Sequence, residues 1–204
     1  MKFRVPLTEF IREVSQVRLK SGVFEASMTR QREQAVANLG AAVAARTDGD
    51  GSKQIPDPQE VANALPSPRA QQRIQDAQVL WVDDRPENNR YERETLEALG
   101  VRVDISTSTN DALNRMKWRP YDLVISDMGR SPEQRAGYTL LDALRAQGDQ
   151  IPYVIYAGSR APEHVAEARR HGAIGCTNSP TELIGIVSDA LVGNVSANRF
   201  YKAG

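Results

Sequence analysis

The stretch VLWVDD, residues 79–84, is an apolar run that ends in two acids, and DLVISD, residues 122–127, ends in a third. Short apolar runs of this kind predict buried strands, and residues that follow such strands lie at the carboxyl edge of a parallel sheet, where sites form. Asp83, Asp84 and Asp127 are therefore candidate site residues. Three carboxylates that converge there repel one another unless a hard cation lies among them, and Mg²⁺ or Mn²⁺ is the cation that oxygen ligands favour.

From residue 77 onward, short apolar runs alternate with segments of helical periodicity. The predicted strands are 79–82, 101–105, 123–126, 153–156 and 173–176, and the predicted helices are 88–99, 110–117, 138–146, 163–171 and 181–191. Five strand–helix units with short connections predict a doubly wound α/β domain over residues 77–192, in which a five-stranded parallel sheet carries helices on both faces.

Composition excludes several classes of protein. The 26 Lys and Arg balance the 26 Asp and Glu, so the net charge does not indicate a nucleic-acid partner. The single cysteine, Cys176, excludes a disulfide framework within the chain and fits a reducing compartment. No run approaches the roughly 18 apolar residues of a membrane span, and the N-terminus lacks the apolar centre of a signal peptide. We therefore expect a cytoplasmic protein without a membrane span.

The chain on either side of this domain is predicted to be simpler. Residues 1–46 are expected to form an N-terminal extension: a short helix, a small hairpin whose second run lies near residues 23–26, and a helix over residues 29–46. Residues 47–76, rich in glycine and proline over most of their length, predict a linker, and residues 193–204 a tail. The apolar face of the 29–46 helix requires a cover, which we expect from a partner chain or from self-association.

Residues 77–192 resemble the receiver domain of bacterial response regulators, the phospho-acceptor module of two-component signalling. Besides the acids after strands one and three, the matching features are Ala112 and Leu113 on the second helix, Gly137 before the third, and GAIG at 172–175 ahead of a proline-led last helix. The resemblance implies a flavodoxin-like sheet of order 2-1-3-4-5, in which strands one and three are neighbours.

The resemblance also assigns a role to each of the three acids. Asp127 falls on the phosphorylated aspartate, Asp84 on the carboxylate that binds Mg²⁺ directly, and Asp83 on the neighbour that holds a metal-bound water. A carboxylate attacks phosphorus only if the charge building on the transferring group is neutralised, which a cation held by the pair would do. The implied partner is a sensor histidine kinase or another signalling protein.

Three positions depart from the family pattern. The strand-four hydroxyl is replaced by Ala157, the strand-five lysine by Ser179 and the switch aromatic by Cys176. The half of the site that holds metal and nucleophile is therefore present, while the half that reads the phosphoryl group is missing. Loss of the lysine should also leave a cation with less competition at the acids. Four side chains are candidate substitutes: Ser159, Tyr156, Arg130 and Arg160.

Three functions can be compared. The first is an atypical response regulator that acts in phosphorelay signalling through protein–protein contact, with Asp127 as phospho-acceptor and an impaired or decoupled switch. The second is a pseudo-receiver, a phosphorylation-independent interaction module whose acids persist as structure or for a divalent ion. The third is a phosphatase of the haloacid-dehalogenase type. That chemistry needs an acid two residues after the nucleophile, where this chain has Gly129, so we do not expect an enzyme.

Overall fold

The structure, a computed structural model, describes residues 23–46, 55–159 and 161–201. Its elements in chain order are α1 (Val23–Ala45), α2 (Pro58–Ala64), α3 (Pro68–Ile74), β1 (Gln78–Val82), a 3-10 turn (Pro86–Asn89), α4 (Arg90–Ala98), β2 (Arg102–Ser106), α5 (Thr109–Trp118), β3 (Leu123–Ser126), α6 (Ala136–Ala146), β4 (Tyr153–Tyr156), α7 (Pro162–Arg170), β5 (Gly175–Thr177) and α8 (Pro180–Tyr201).

The five strands form one parallel sheet in the order β2-β1-β3-β4-β5, which confirms the predicted flavodoxin-like class and strand order. The register fixes the level at which the strands end, because Val82 pairs with Ser126 on one side and with Ser106 on the other. The residues that follow β1 and β3 therefore leave adjacent strands at the same level of the sheet.

The two faces of the sheet bury different residues of the same strands. In β1, Val79 and Trp81 belong to one apolar cluster, while Leu80 and Val82 belong to the other. This alternation is the two-residue period of a strand that is covered on both faces. Turn residues lie where helices end: Gly100 after α4 and Gly172 after α7 both have φ of 91°, a conformation that glycine adopts without strain.

Helix α1 is part of the domain core rather than a separate arm. Ala35, Val36 and Leu39 are buried in the same cluster as Leu96 of α4 and Val187 of α8. The apolar face that was expected to need a partner chain is thus covered within the chain itself, which removes the reason for expecting self-association through this helix.

The linker prediction is wrong for residues 58–74, which form helices α2 and α3. Asp57 accepts a hydrogen bond from the Gln59 N–H at 2.9 Å, and Ser67 accepts one from the Ala70 N–H at 3.2 Å, so both helices have side-chain N-caps. Two of the four prolines that indicated a linker, Pro58 and Pro68, instead begin the two helices, a position at which their missing N–H costs nothing.

Other boundaries differ from the predictions in smaller ways. Residues 23–26, predicted as the second run of a hairpin, are the start of α1; the other parts of that hairpin and the first short helix lie outside the described residues. The backbone of α8 continues to Tyr201 through most of the predicted tail, residues 193–204. Strands β2 and β5 cover 102–106 and 175–177 rather than 101–105 and 173–176. Among the described residues, no helix combines the length and apolar character of a membrane span.

We expect Leu39→Ala to lower the free energy of unfolding by about 2–5 kcal/mol, because it removes a fully buried side chain from the shared core. Urea denaturation followed by far-ultraviolet circular dichroism would measure the change. The control is Gln34→Ala, at an exposed position of the same helix, which should change stability by less than about 0.5 kcal/mol. An unchanged midpoint for Leu39→Ala would mean that α1 does not unfold together with the sheet.

Candidate functional site

Three carboxylates meet at the carboxyl edge of the sheet. One carboxylate oxygen from each of Asp83, Asp84 and Asp127 lies within 4.8 Å of the other two. The ladder of the sheet positions them: the Asp83 N–H donates to the Ser106 carbonyl and the Asp127 N–H to the Val82 carbonyl, each at 2.9 Å. The sequence pattern and the strand register therefore lead to the same cluster.

Backbone and side-chain donors orient Asp83 and Asp84. Asp83, only 3% exposed, accepts the Arg85 N–H at 2.7 Å on one oxygen and the Asn89 amide at 2.6 Å on the other. Asp84 accepts the N–H of Ser131, in the loop after β3, at 3.0 Å. These contacts join the turns after β1 and β3, so the cluster also holds the two loops together.

The carboxylate of Asp127 has one occupied and one open oxygen. The Met128 N–H donates to Oδ1 at 2.7 Å, and Oδ2 accepts no hydrogen bond from the described part of the chain. Helix α6 packs closely against the backbone of Asp127. A Cβ on Gly137 would lie 2.9 Å from the Asp127 carbonyl oxygen, so this close approach requires glycine. The Gly137 N–H also donates to the Met128 carbonyl at 2.9 Å.

The surroundings of Asp127 disfavour its negative charge. Burial raises the pKa of Asp127, and the neighbouring charge of Asp83 raises it further, while the Met128 N–H and the cation of Arg130 act in the opposite direction. A divalent cation would relieve this repulsion. Three carboxylate oxygens so close together are also the donor set that Mg²⁺ and Mn²⁺ accept, so the residues present fit such an ion.

The acids open into a cleft of about 250 Å³. The other lining residues are Arg46, Arg85, Asn88, Asn89, Tyr156, Ala157 and Gly158. Two arginines thus line the cleft, so it contains positive charge even without the strand-five lysine. Sequence reasoning did not find Arg46, because a basic residue just after a helix is ordinary and nothing local indicates a contact with a strand 110 residues away.

Arg46 follows the last residue of α1 and is held by a buried polar cluster. Its Nη2 atom donates to Glu92 at 2.8 Å, to the Tyr156 hydroxyl at 2.6 Å and to the Asn89 side-chain oxygen at 2.8 Å. The guanidinium carbon lies 4.9 Å from the centre of the Tyr156 ring. Burial and the Glu92 charge raise the pKa of Tyr156, so the phenol keeps its proton and donates a hydrogen bond to Glu92 at 2.8 Å.

The three positions that depart from the family pattern, Ala157, Cys176 and Ser179, lie in different parts of the structure. Ala157 lines the cleft of the acids, and Cys176 lines a neighbouring cleft of about 380 Å³. The Ser179 hydroxyl lies at the start of α8, where it pairs with Thr181 at 2.9 Å and accepts the Glu182 N–H at 3.3 Å. Ser179 is therefore engaged in the helix start rather than directed at the acids.

Of the candidate substitutes, only Tyr156 lines the cleft of the acids among the described residues. Ser159 lines the neighbouring cleft. Arg130 is buried and braces the loop after β3, because it donates to Ser126 at 2.6 Å and to the Ala136 carbonyl at 2.7 Å. Arg160 lies outside the described residues.

We expect Asp127→Asn to raise the thermal midpoint at neutral pH when no divalent ion is present. The substitution removes one of three like charges and keeps the oxygen that accepts the Met128 N–H. Two like charges about 4 Å apart repel by about 1 kcal/mol even in water, which corresponds to about 2–4 °C in a chain of this size. Scanning calorimetry in the presence of a chelator would measure the shift.

The same comparison has a defined pH dependence. Because the pKa of Asp127 is raised in the folded protein, the destabilisation develops as pH rises from the usual aspartate value, about 3.9, through the raised value. Below that range Asp127 is protonated in both the folded and the unfolded chain, so the two proteins should converge in stability. A lower midpoint for Asp127→Asn at neutral pH would contradict the repulsion.

Comparison with known proteins gives a consistent result. The family model of the response regulator receiver domain matches residues 79–187. The sensor histidine kinase RcsC of Escherichia coli K12 is 30% identical over 123 residues, which are 60% of this chain and 13% of that protein. RcsC of Salmonella typhimurium LT2 is 27% identical over 128 residues, 62% of this chain and 13% of its own. The chain thus spans about an eighth of the length of these curated relatives.

Solved structures share the fold. The receiver domain of the Francisella response regulator 1452 has a TM-score of 0.51 and 21% identity, and the match covers 58% of this chain and 98% of that one. The chemotaxis response regulator CheY4 of Vibrio cholerae has a TM-score of 0.50 and 24% identity, over 56% of this chain and 98% of that one.

Proposed function

The chain belongs to the response regulator receiver domain family of two-component signalling, and on this premise we propose that Asp127 is its phospho-acceptor. The observation that carries the proposal is the geometry of the three acids, whose oxygens lie within 4.8 Å of one another beside an open Oδ2 of Asp127. Receiver domains typically interact with sensor histidine kinases, so the proposed phosphoryl donor is a phosphohistidine of such a partner.

The proposed reaction is a direct transfer to the carboxylate. The open Oδ2 of Asp127 attacks phosphorus, an O–P bond forms, and the P–N bond to the imidazole breaks. The imidazole nitrogen keeps the electron pair of that bond and is protonated by solvent. Asp83 and Asp84, whose oxygens are fixed by Arg85, Asn89 and Ser131, would hold Mg²⁺ together with Asp127. When bound, that ion supplies positive charge against the transferred group.

The proposed output is protein–protein contact without enzymatic turnover, and with an impaired switch on the β4–β5 side. Ala157 lines the cleft but offers no hydroxyl, and Ser179 is engaged at the start of α8. At these two described positions a phosphoryl group therefore meets no side chain that binds it better in one conformation than in another. A ligand without differential affinity shifts no population.

A phosphorylation-independent pseudo-receiver is the second candidate, and one observation favours it. Both oxygens of Asp83 and one oxygen of Asp84 accept hydrogen bonds that fix the loops after β1 and β3. The acids would then be retained because they brace these loops. This candidate predicts a folded chain that accepts no phosphoryl group.

Intact mass after incubation with acetyl phosphate and Mg²⁺ separates the two candidates. We expect the natural chain to gain the mass of one phosphoryl group, because Oδ2 of Asp127 is open to attack. The control Asp127→Asn should gain none, and a chelator should abolish the gain in the natural chain. An unmodified natural chain, under conditions that phosphorylate a typical receiver, would favour the pseudo-receiver.

Titration with Mn²⁺ tests the metal site separately. Trp81 is buried in β1, two residues before the acid pair, so we expect its fluorescence to be quenched as the site fills. Trp118 is 90% exposed and would obscure this signal, so the titration is made in a Trp118→Phe background. Asp84→Ala should abolish the quenching. Unchanged quenching in that variant would place the ion elsewhere.

A further inference from the structure

The N-terminal extension contributes a cation to the cleft of the acids. Arg46 immediately follows α1, outside the residues 79–187 that match the family, yet it lines the same cleft as Asp83, Asp84 and Asp127. Its side chain is 30% exposed and lines the cleft. An anion bound among these residues would therefore meet a side chain of the extension.

The hydrogen bonds of Arg46 leave room for a second anion. All three leave from Nη2, while Nε and Nη1 donate to no group in the described ranges of the chain. A guanidinium carries five N–H donors in a fixed plane and binds phosphate oxygens in a bidentate manner. Arg46 can thus keep Glu92, which is only 2% exposed, and still offer two nitrogen atoms to a ligand.

The second arginine of the cleft is less suited to this task. The side chain of Arg85 is 75% exposed, and its Nε lies 3.9 Å from an oxygen of Asp84. An exposed side chain loses more conformational freedom when it is fixed by a ligand. Arg46 is already fixed by Glu92, Tyr156 and Asn89, so it loses little.

We propose that Arg46 contacts the oxygens of a phosphoryl group carried by Asp127, and that this contact fastens the last turn of α1 to the cleft. The inference rests on the proposed function of Asp127. It assigns the response to phosphorylation to the last turn of α1, which offers Arg46 to the phosphoryl group when it is packed at the cleft and does not when it is frayed. This contact supplies the differential affinity that Ala157 and Ser179 do not.

Binding of beryllofluoride with Mg²⁺, a mimic of the phosphoryl group, tests the contact by calorimetry. Arg46→Gln should weaken binding by about tenfold or more, the size expected for a hydrogen bond between charged groups, while the affinity for Mg²⁺ alone is not reduced. Arg46→Lys should lie between this variant and the natural chain. Equal binding by the natural chain and Arg46→Gln would overturn the inference.

Arg32→Gln is the matched control. Arg32 lies on the same helix and donates to the Pro66 carbonyl at 2.5 Å and to Gln71 at 3.3 Å, but it does not line the cleft. Its substitution should leave beryllofluoride binding unchanged. If it weakens binding as much as Arg46→Gln does, the loss comes from displacement of α1 and the proposed contact is refuted.

A second variant guards against misfolding, because Arg46→Gln leaves the buried Glu92 without its cation. The double variant Arg46→Gln with Glu92→Gln removes that unpaired charge and should show the same loss of affinity. Glu92→Gln alone, which keeps the cation, should bind beryllofluoride at least as tightly as the natural chain. Full affinity in the double variant would overturn the inference.

Amide exchange locates the response. Beryllofluoride with Mg²⁺ should slow exchange over residues 42–46 in the natural chain, leave residues 157–180 unchanged, and have neither effect in Arg46→Gln. Protection at 157–180 without protection at 42–46 would place the response on the β4–β5 side and refute the inference. A natural chain that binds no beryllofluoride refutes the role of Asp127 as well, whereas equal binding with and without Arg46 refutes only the role of Arg46.

Discussion

Mutual repulsion among three carboxylates at the ends of two adjacent strands is the constraint on which the rest of this structure depends. Parallel pairing of β1 with β3 brings the acids together, and their oxygens lie within 4.8 Å of one another. The fold tolerates this because donors from the following turns fix Asp83 and Asp84, and because Gly137 lets α6 pack directly against the backbone of Asp127. A site with unbalanced negative charge and fixed oxygens is suited to a divalent cation, and to an anionic group that binds together with that cation.

The arginine after α1 changes how the departures from the family pattern are interpreted. Viewed along the sequence, Ala157 and Ser179 indicate a site without its phosphoryl-binding half. In three dimensions, a guanidinium from the extension lies in the same cleft, anchored to a buried glutamate on α4 and a tyrosine on β4. The chain therefore has a positive charge at the site, although that charge comes from a different part of the sequence and from a different element.

The sequence predicts features that depend on short-range patterns. It does not predict features that depend on packing between residues far apart in the chain. Buried runs such as 79–82 and their terminal acids could be identified because strand burial follows from local periodicity, and short connections indicate a parallel sheet. The strand order came from the resemblance to the receiver family. Pro58 and Pro68 were misinterpreted because a proline in a linker and a proline at the first position of a helix look alike until a neighbouring surface is known. Arg46 was missed for the same reason, since its partner Glu92 lies 46 residues away.

Because α1 is buried against α4 and α8, the unit that folds is larger than the part of the chain that matches the family. The family match begins at residue 79, whereas the apolar cluster on that side of the sheet begins at Ala35 and includes Val61 and Ile74. A fragment cut at the edges of the match would leave Leu96 and Val187 partly uncovered and Glu92 buried without its cation. We therefore expect that moving this domain into another protein requires moving residues 35–74 with it.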